Sequence, residues 1–263
     1  MNGNEKTFSV LLKQYSKLPH LELAEEVATM VGMHKMDVTI RLRWQQGIVW
    51  SGLVIDNADK LAKLLIGKGF ECGIVPDSDL WQGGKPFGCR NADVLQEGFE
   101  MEDAYGKKKL IPAEKIAFAQ AGWVEEKIRK GRYRGLNEFG MVFTGGFGTY
   151  QPPVNFHKKR EPDKRAIGWV LHLFLKGIPG KSYRIIGREF NYDYQGFMGE
   201  YWEKRFAILL SDLAVILADD CLDDSLIRIM GKDHPDREGV TYDRLKFMME
   251  RARWELTMRQ LAV

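Results

Sequence analysis

The chain has 263 residues, 44 % of them hydrophobic and 29 % charged, with seven Trp and 14 Phe, a composition that excludes a disordered polymer and supplies a packed core. A formal net charge of +3 demands neither a nucleic-acid nor a membrane partner. Three well-separated cysteines, Cys72, Cys89 and Cys221, exclude a disulfide framework and fit a reducing cytoplasm.

Met1 to Thr7 is polar and runs straight into a strand-like segment, so no secretory leader is expected. The most apolar long stretch, Ala207 to Ala218, is short and carries Asp212, which predicts a core helix and no membrane span. The length exceeds that of one ordinary compact domain and predicts two parts, 1–77 and 89–263, joined by a linker over 78–88.

In the first part, Phe8 to Leu12 is β-prone. Leu23, Val27, Met30 and Val31 then recur at helical spacing, with Glu22, Glu25 and Glu26 opposite and Gly32 as a stop. A second helix is predicted from Met36 to about Trp44, and a strand over Gly47 to Ile55. Asp56 and Asn57 read as an N-cap for a third helix carrying Leu61, Leu64 and Leu65. Gly67 and Gly69 end it, and Phe70 to Val75 is a final strand closed by Pro76. The order is βααβαβ.

Three segments carry a likeness: Phe8-Ser9-Val10-Leu11-Leu12, the helix end Val31-Gly32-Met33, and Asn57 to Leu65 followed by Gly69-Phe70-Glu71-Cys72. With these, residues 7–77 resemble the small fold of the Clp protease adaptor (ClpS) family and of the C-terminal domain of the large-subunit ribosomal stalk protein. The resemblance implies a compact module that docks another protein. The adaptor family holds a peptide's α-amino group with Asn and Asp just after its first strand. Gln14-Tyr15-Ser16-Lys17 stands there in this chain, and a lysine repels a cationic terminus. The expected partner-binding residues are therefore Gln14, Tyr15, Lys17 and His20, toward a protein of another kind.

In the second part, Gly98 to Asp103 and Lys107 to Ile111 are predicted as a hairpin around Ala104-Tyr105-Gly106, with a further strand over Ile116 to Val124. Followed by Pro112 to Ile116, this hairpin resembles small bacterial barrels of the pleckstrin type. Residues 129–165 are rich in Gly, Pro, Lys and Arg and read as a long basic loop. Phe143 to Gly148 lacks the Gly-Lys-Ser/Thr ending of a phosphate loop.

Ile167 to Leu175 is an apolar strand. Tyr183 to Tyr194 alternates, which as one strand puts Arg184, Ile186, Arg188, Phe190, Tyr192 and Tyr194 on a single face. Helices are predicted over Glu203–Leu217, Leu222–Met230 and from Thr241 nearly to the end. The last turns Leu245, Met248, Met249, Ala252 and Leu256 inward and leaves Trp254 on its flank. The fold class is α+β: the adaptor-like unit, a β-rich middle, and a C-terminal sheet covered by helices.

No acid, base and nucleophile pair up in the sequence, and no catalytic residue or cofactor is expected. Asp219, Asp220, Asp223 and Asp224 lack the spacing of a calcium loop and read as helix caps. The histidines, His20, His34, His157, His172 and His234, show no metal-ligand pairing, so no metal is expected. Cys89 beside Arg90 is the one thiol with a basic neighbour.

The leading expectation is a non-enzymatic protein-interaction or adaptor protein of the bacterial cytoplasm. The alternative is nucleic-acid or nucleotide binding, with Arg184, Arg188, Tyr192 and Tyr194 stacking on bases and Lys158, Lys159 and Arg160 on phosphates, joined by Lys164, Arg165 and the basic run from Lys127 to Arg134. An enzyme of unrecognised class is the third.

Overall fold

The computed structural model describes residues 6–84, 86–102, 106–127, 166–177, 181–196, 201–230, 232 and 237–262. The segment read as a basic loop, 129–165, lies outside them, with Lys158, Lys159, Arg160, His157 and the phosphate-loop-like Phe143 to Gly148. So do His234 and, from the hairpin turn, Asp103, Ala104 and Tyr105. The described chain is α+β, as the sequence predicts, with helices and three separate sheets.

The first unit follows the predicted order: β1 (Phe8–Leu12), α1 (His20–Val31), α2 (Lys35–Arg43), β2 (Ile48–Leu53), α3 (Ile55–Gly67) and β3 (Cys72–Pro76). The strands form an antiparallel sheet, β2-β1-β3. Val10 and Leu12 of β1 pack with Leu23 and Val27 of α1 and with Leu61 and Leu65 of α3. Alternation along the strand sends Leu11 to the opposite face. Gly32 closes α1 in the left-handed conformation, φ 67°.

The start of α3 differs from the expected cap. Val54 is the cap residue, without a side-chain bond, and Asp56 falls in the first turn. The chain passes from β2 into the helix with a single residue between, so Asn57 is already helical, and its Nδ2 donates to Met30 O at 3.1 Å.

The segment after β3 is pinned. Leu80 and Trp81 are buried. Trp81 N donates to Thr257 Oγ1 at 2.9 Å, and Arg253 Nε donates to Trp81 O at 3.0 Å. An apolar pair inside a Pro/Gly/Asp-rich stretch gives that stretch something to bury.

Two short strands that the sequence pattern did not reveal follow, β4 (Phe87–Cys89) and β5 (Asn91–Leu95). β6 (Gly98–Glu102) and β7 (Lys108–Pro112) pair as predicted, with β5 on the far edge of β6. The next strand, β8 (Ile116–Lys127), leaves this meander, so among the described residues the hairpin does not close into a pleckstrin-type barrel. It pairs with β9 (Ala166–Leu175), which pairs with β10 (Ser182–Ile186). β4 joins in parallel at one edge and β11 (Thr241–Tyr242) at the other, giving the order β11-β8-β9-β10-β4.

The single strand expected over Tyr183 to Tyr194 is broken. β10 stops at Ile186, and 3-10 turns occupy Gly187–Glu189 and Asp193–Gln195. A Cβ on Gly187 would lie 2.9 Å from Trp202 and 3.0 Å from Phe206, so the glycine lets the backbone press against the next helix. That helix is α4 (Trp202–Ile216); α5 (Asp224–Ile229) and α6 (Leu245–Leu261) complete the chain.

Helices cover both faces of the five-stranded sheet. Ala119, Ala121, Trp169, Leu171 and Ile185 pack with Phe206, Leu209 and Leu213 of α4 and Leu226 of α5. On the other face Phe118 and Phe174 meet Ala252 and Leu256 of α6, and Val124 and Val170 meet Met248. These three α6 residues recur every four positions, one stripe of a helix.

A second stripe, Phe247, Arg251, Trp254 and Met258, faces the first unit. Phe247 stacks on Trp44 at 5.2 Å, Trp254 Nε1 donates to Leu12 O at 2.8 Å, and Trp254 clusters with Leu11, Val75 and Leu80, with Met258 packed against them. The expected flank position of Trp254 is thus corrected: it is 5 % exposed. α6 lies between two sheets and carries an apolar stripe for each.

Candidate functional site: a cleft at the junction of the two units

The loop leaving β1 and the C-terminal end of α2 face α5, β11 and α6 across a cleft of about 640 Å³. Tyr15, Lys17, Leu18 and His20 line it, so three of the four residues expected to bind a partner are brought together. Gln14 is exposed and outside the lining. Gln45 braces the loop: its Nε2 donates to Ser16 O at 2.7 Å, and its Oε1 accepts from Gly47 N at 2.6 Å.

The opposite wall begins with β11, an edge strand. Its register pairs Thr241 with Trp123, and Trp123 N donates to Val240 O at 2.9 Å. In a parallel pair this pattern directs the N–H and C=O of Thr241 away from β8. Thr241 is exposed and lines the cleft. The Tyr242 ring lies over Gly122, where a Cβ would come within 2.6 Å of it.

The floor holds Asp223, Ser225 and Arg251. Ser225 Oγ reaches Ala121 O at 2.6 Å and also contacts Asp223 Oδ2. Burial pushes the Asp223 carboxyl up, against the Ser225 hydrogen bond and the Arg251 charge. The Arg251 guanidinium lies 3.9 Å from the Tyr15 ring and 4.3 Å from the Trp254 ring, and its Nη1 is buried without a hydrogen-bond partner.

Beside the cleft a polar row crosses the sheet under α6. Gln120 Nε2 donates to the Tyr242 hydroxyl at 3.3 Å. Gln120, His172 and Arg184 are cross-strand neighbours, and Arg184 Nε donates to His172 Nε2 at 2.7 Å. An accepting Nε2 puts the proton of neutral imidazole on Nδ1. Burial, with help from Arg184, holds the His172 pKa well below its ordinary value.

The residues named for nucleic-acid stacking do not form a platform. Tyr192 is buried and donates to Gly187 O at 2.8 Å. Tyr194 is half-buried and donates to Asp212 Oδ2 at 3.0 Å. Arg184 is tied to His172, and Arg188 is exposed on the 3-10 turn, 5.8 Å from the Trp202 ring. The break at Gly187 separates what an unbroken strand would have aligned.

Asp219 and Asp220 sit in a 3-10 turn, and Asp223 caps α5. Among the described residues no group of His, Cys, Asp and Glu could hold a metal ion. His34 caps α2, its Nδ1 accepting from Met36 N at 3.2 Å. The Cys89 thiol is pushed by burial up to about 12, and the other two thiols are raised for the same reason. Such thiols are not activated nucleophiles. No described helix is long and apolar enough to cross a membrane.

Arg43, Trp44, Gln45, Thr241, Tyr242 and Arg251 carried no signal in the sequence. They come from segments about two hundred positions apart, and only the docking of α6 on the first unit assembles them.

The fold places a polar cleft between the first unit and α5, β11 and α6 of an α+β protein. In comparisons with protein-family models, curated proteins and solved structures, nothing matches this chain.

Proposed function

We propose that this is a protein-interaction protein that docks an extended segment of another protein in the junction cleft. The observation that carries the reading is the meeting of an exposed strand edge at Thr241 with the Tyr15–Lys17 loop across a space of about 640 Å³. An open edge offers main-chain hydrogen bonds to an incoming strand, and flanking side chains supply selectivity. The βααβαβ order of residues 7–77, like that of the Clp protease adaptor family, supports the same role. The cleft groups are suited to binding: no activated thiol lies there, and Ser225 is committed to a backbone carbonyl and a carboxyl.

The test is a quantitative pull-down from host lysate with three baits: the wild type, Lys17→Glu with Thr241→Pro, and a control at the exposed Val215, Val215→Ser. A partner retained by the control and lost by the cleft variant is expected. Equal recovery by all three baits, or no partner above background, would overturn the reading.

A further inference from the structure

The charges around the cleft are unequal in a way that specifies the docked segment. Five cationic side chains line it, Lys17, Arg43, Arg228, Arg251 and Arg259, against four carboxyls. Two of those carboxyls are compensated. Glu255 is paired with Arg259 at 3.4 Å, and the Asp223 carboxyl, its pKa raised by burial, accepts from the Ser225 hydroxyl. Asp224 and Asp243 remain, both exposed. Lys17, Arg43 and Arg228 are exposed at the rim, and Arg251 is half-buried between two aromatic rings with one nitrogen lacking an acceptor. Concave walls concentrate such an excess of positive potential, and a half-buried guanidinium short of acceptors is relieved by an arriving anion.

Resting on the docking reading above, we infer that the cleft selects an acidic peptide segment, with an Asp or Glu carboxylate beside Arg251 and further acidic positions facing Arg43 and Lys17. The main chain of the segment lies along Thr241. Tyr15 and Trp254 fix the plane of the guanidinium, which gives the carboxylate a geometry as well as a charge to match. A nucleic acid would bring anions too. The aromatic groups here, however, each have a face engaged by the protein itself, Trp44 by Phe247 at 5.2 Å and Tyr15 by Arg251, which leaves bases a reduced stacking surface.

The test uses the full-length chain, immobilised and panned against a displayed library of random heptapeptides. Enrichment of sequences with Asp or Glu at two or more positions is expected. A fluorescein-labelled peptide from the enriched pool should lose about tenfold in affinity with Arg251→Lys and with Arg43→Gln, and should weaken as salt rises. Arg43 is exposed and lies 5.0 Å from the Trp44 ring, so an unchanged urea midpoint for its variant is required for the affinity loss to be read as charge. Enrichment of neutral or basic peptides whose affinity changes with Lys17→Glu would overturn the acidic selectivity and leave the docking reading standing. No enrichment over a bare surface would overturn both. Displacement of the labelled peptide by a random single-stranded oligonucleotide at equal concentration would reassign the ligand to nucleic acid and overturn the inference.

Discussion

At the scale of single residues, Gly47 and Asp223 carry separable consequences. Gly47 has φ 99°, and a Cβ there would lie 2.4 Å from Trp254 Cγ. Gly47→Ala therefore meets both an unfavourable backbone conformation and a fixed ring. A loss of about 3 kcal/mol is expected, combining overpacking with left-handed strain, read as a lowered urea midpoint. Asp223 acts through pH. Its carboxyl is raised in the folded chain, so its contribution is favourable below the unfolded carboxyl range and is lost as pH rises through the folded value. Asp223→Asn should raise the melting temperature at pH 7, and the gain should shrink toward pH 4. A gain independent of pH would mean that Asp223 is an ordinary carboxylate.

Between elements, the polar row across β8, β9 and β10 gives the opposite pH dependence. His172 has a depressed pKa, so on acidification the unfolded chain takes up a proton that the folded chain refuses. Stability from this residue falls as pH drops below about 6.5. His172→Gln keeps an acceptor for Arg184 and removes the titration. The wild type should lose more stability than this variant between pH 7 and pH 5, compared by urea midpoints at each pH. Parallel losses would place the proton elsewhere.

How far these elements could be read beforehand follows from the range of their signals. β1, α1, α2 and α3 follow apolar spacing within a dozen residues, and the sequence shows it. β4, with three residues, and β11, with two, are too short for any period and exist only because a neighbouring strand accepts them. The alternation of Tyr183 to Tyr194 misleads because nothing local announces that Gly187 must yield to Trp202 and Phe206. Tyr15, Lys17 and His20 could be picked out as a loop after a strand, but Arg251 and Thr241 have no such marker.

For the molecule as a whole, α6 is what makes two units one body. Its stripe at Met248, Ala252 and Leu256 belongs to the five-stranded sheet, and the stripe from Phe247 to Met258 belongs to the first unit. The first unit has its own cluster between its sheet and its helices. A fragment of residues 1–77 is therefore expected to fold alone, with Leu11 and Val75 uncovered. The complementary fragment 78–263 keeps its sheet but exposes Trp254, whose burial removes ~200 Å² from water, a gross gain of about 5 kcal/mol at ~25 cal/mol per Å². It should therefore bind a hydrophobic dye and self-associate when alone. Mixed in equal amounts, the fragments should elute together from gel filtration and lose the dye signal. Trp254→Ala in the larger fragment should abolish the recombination. If the fragments stay apart while each is folded, the contact through α6 is too weak to hold the junction, and the cleft that depends on it would not persist in solution.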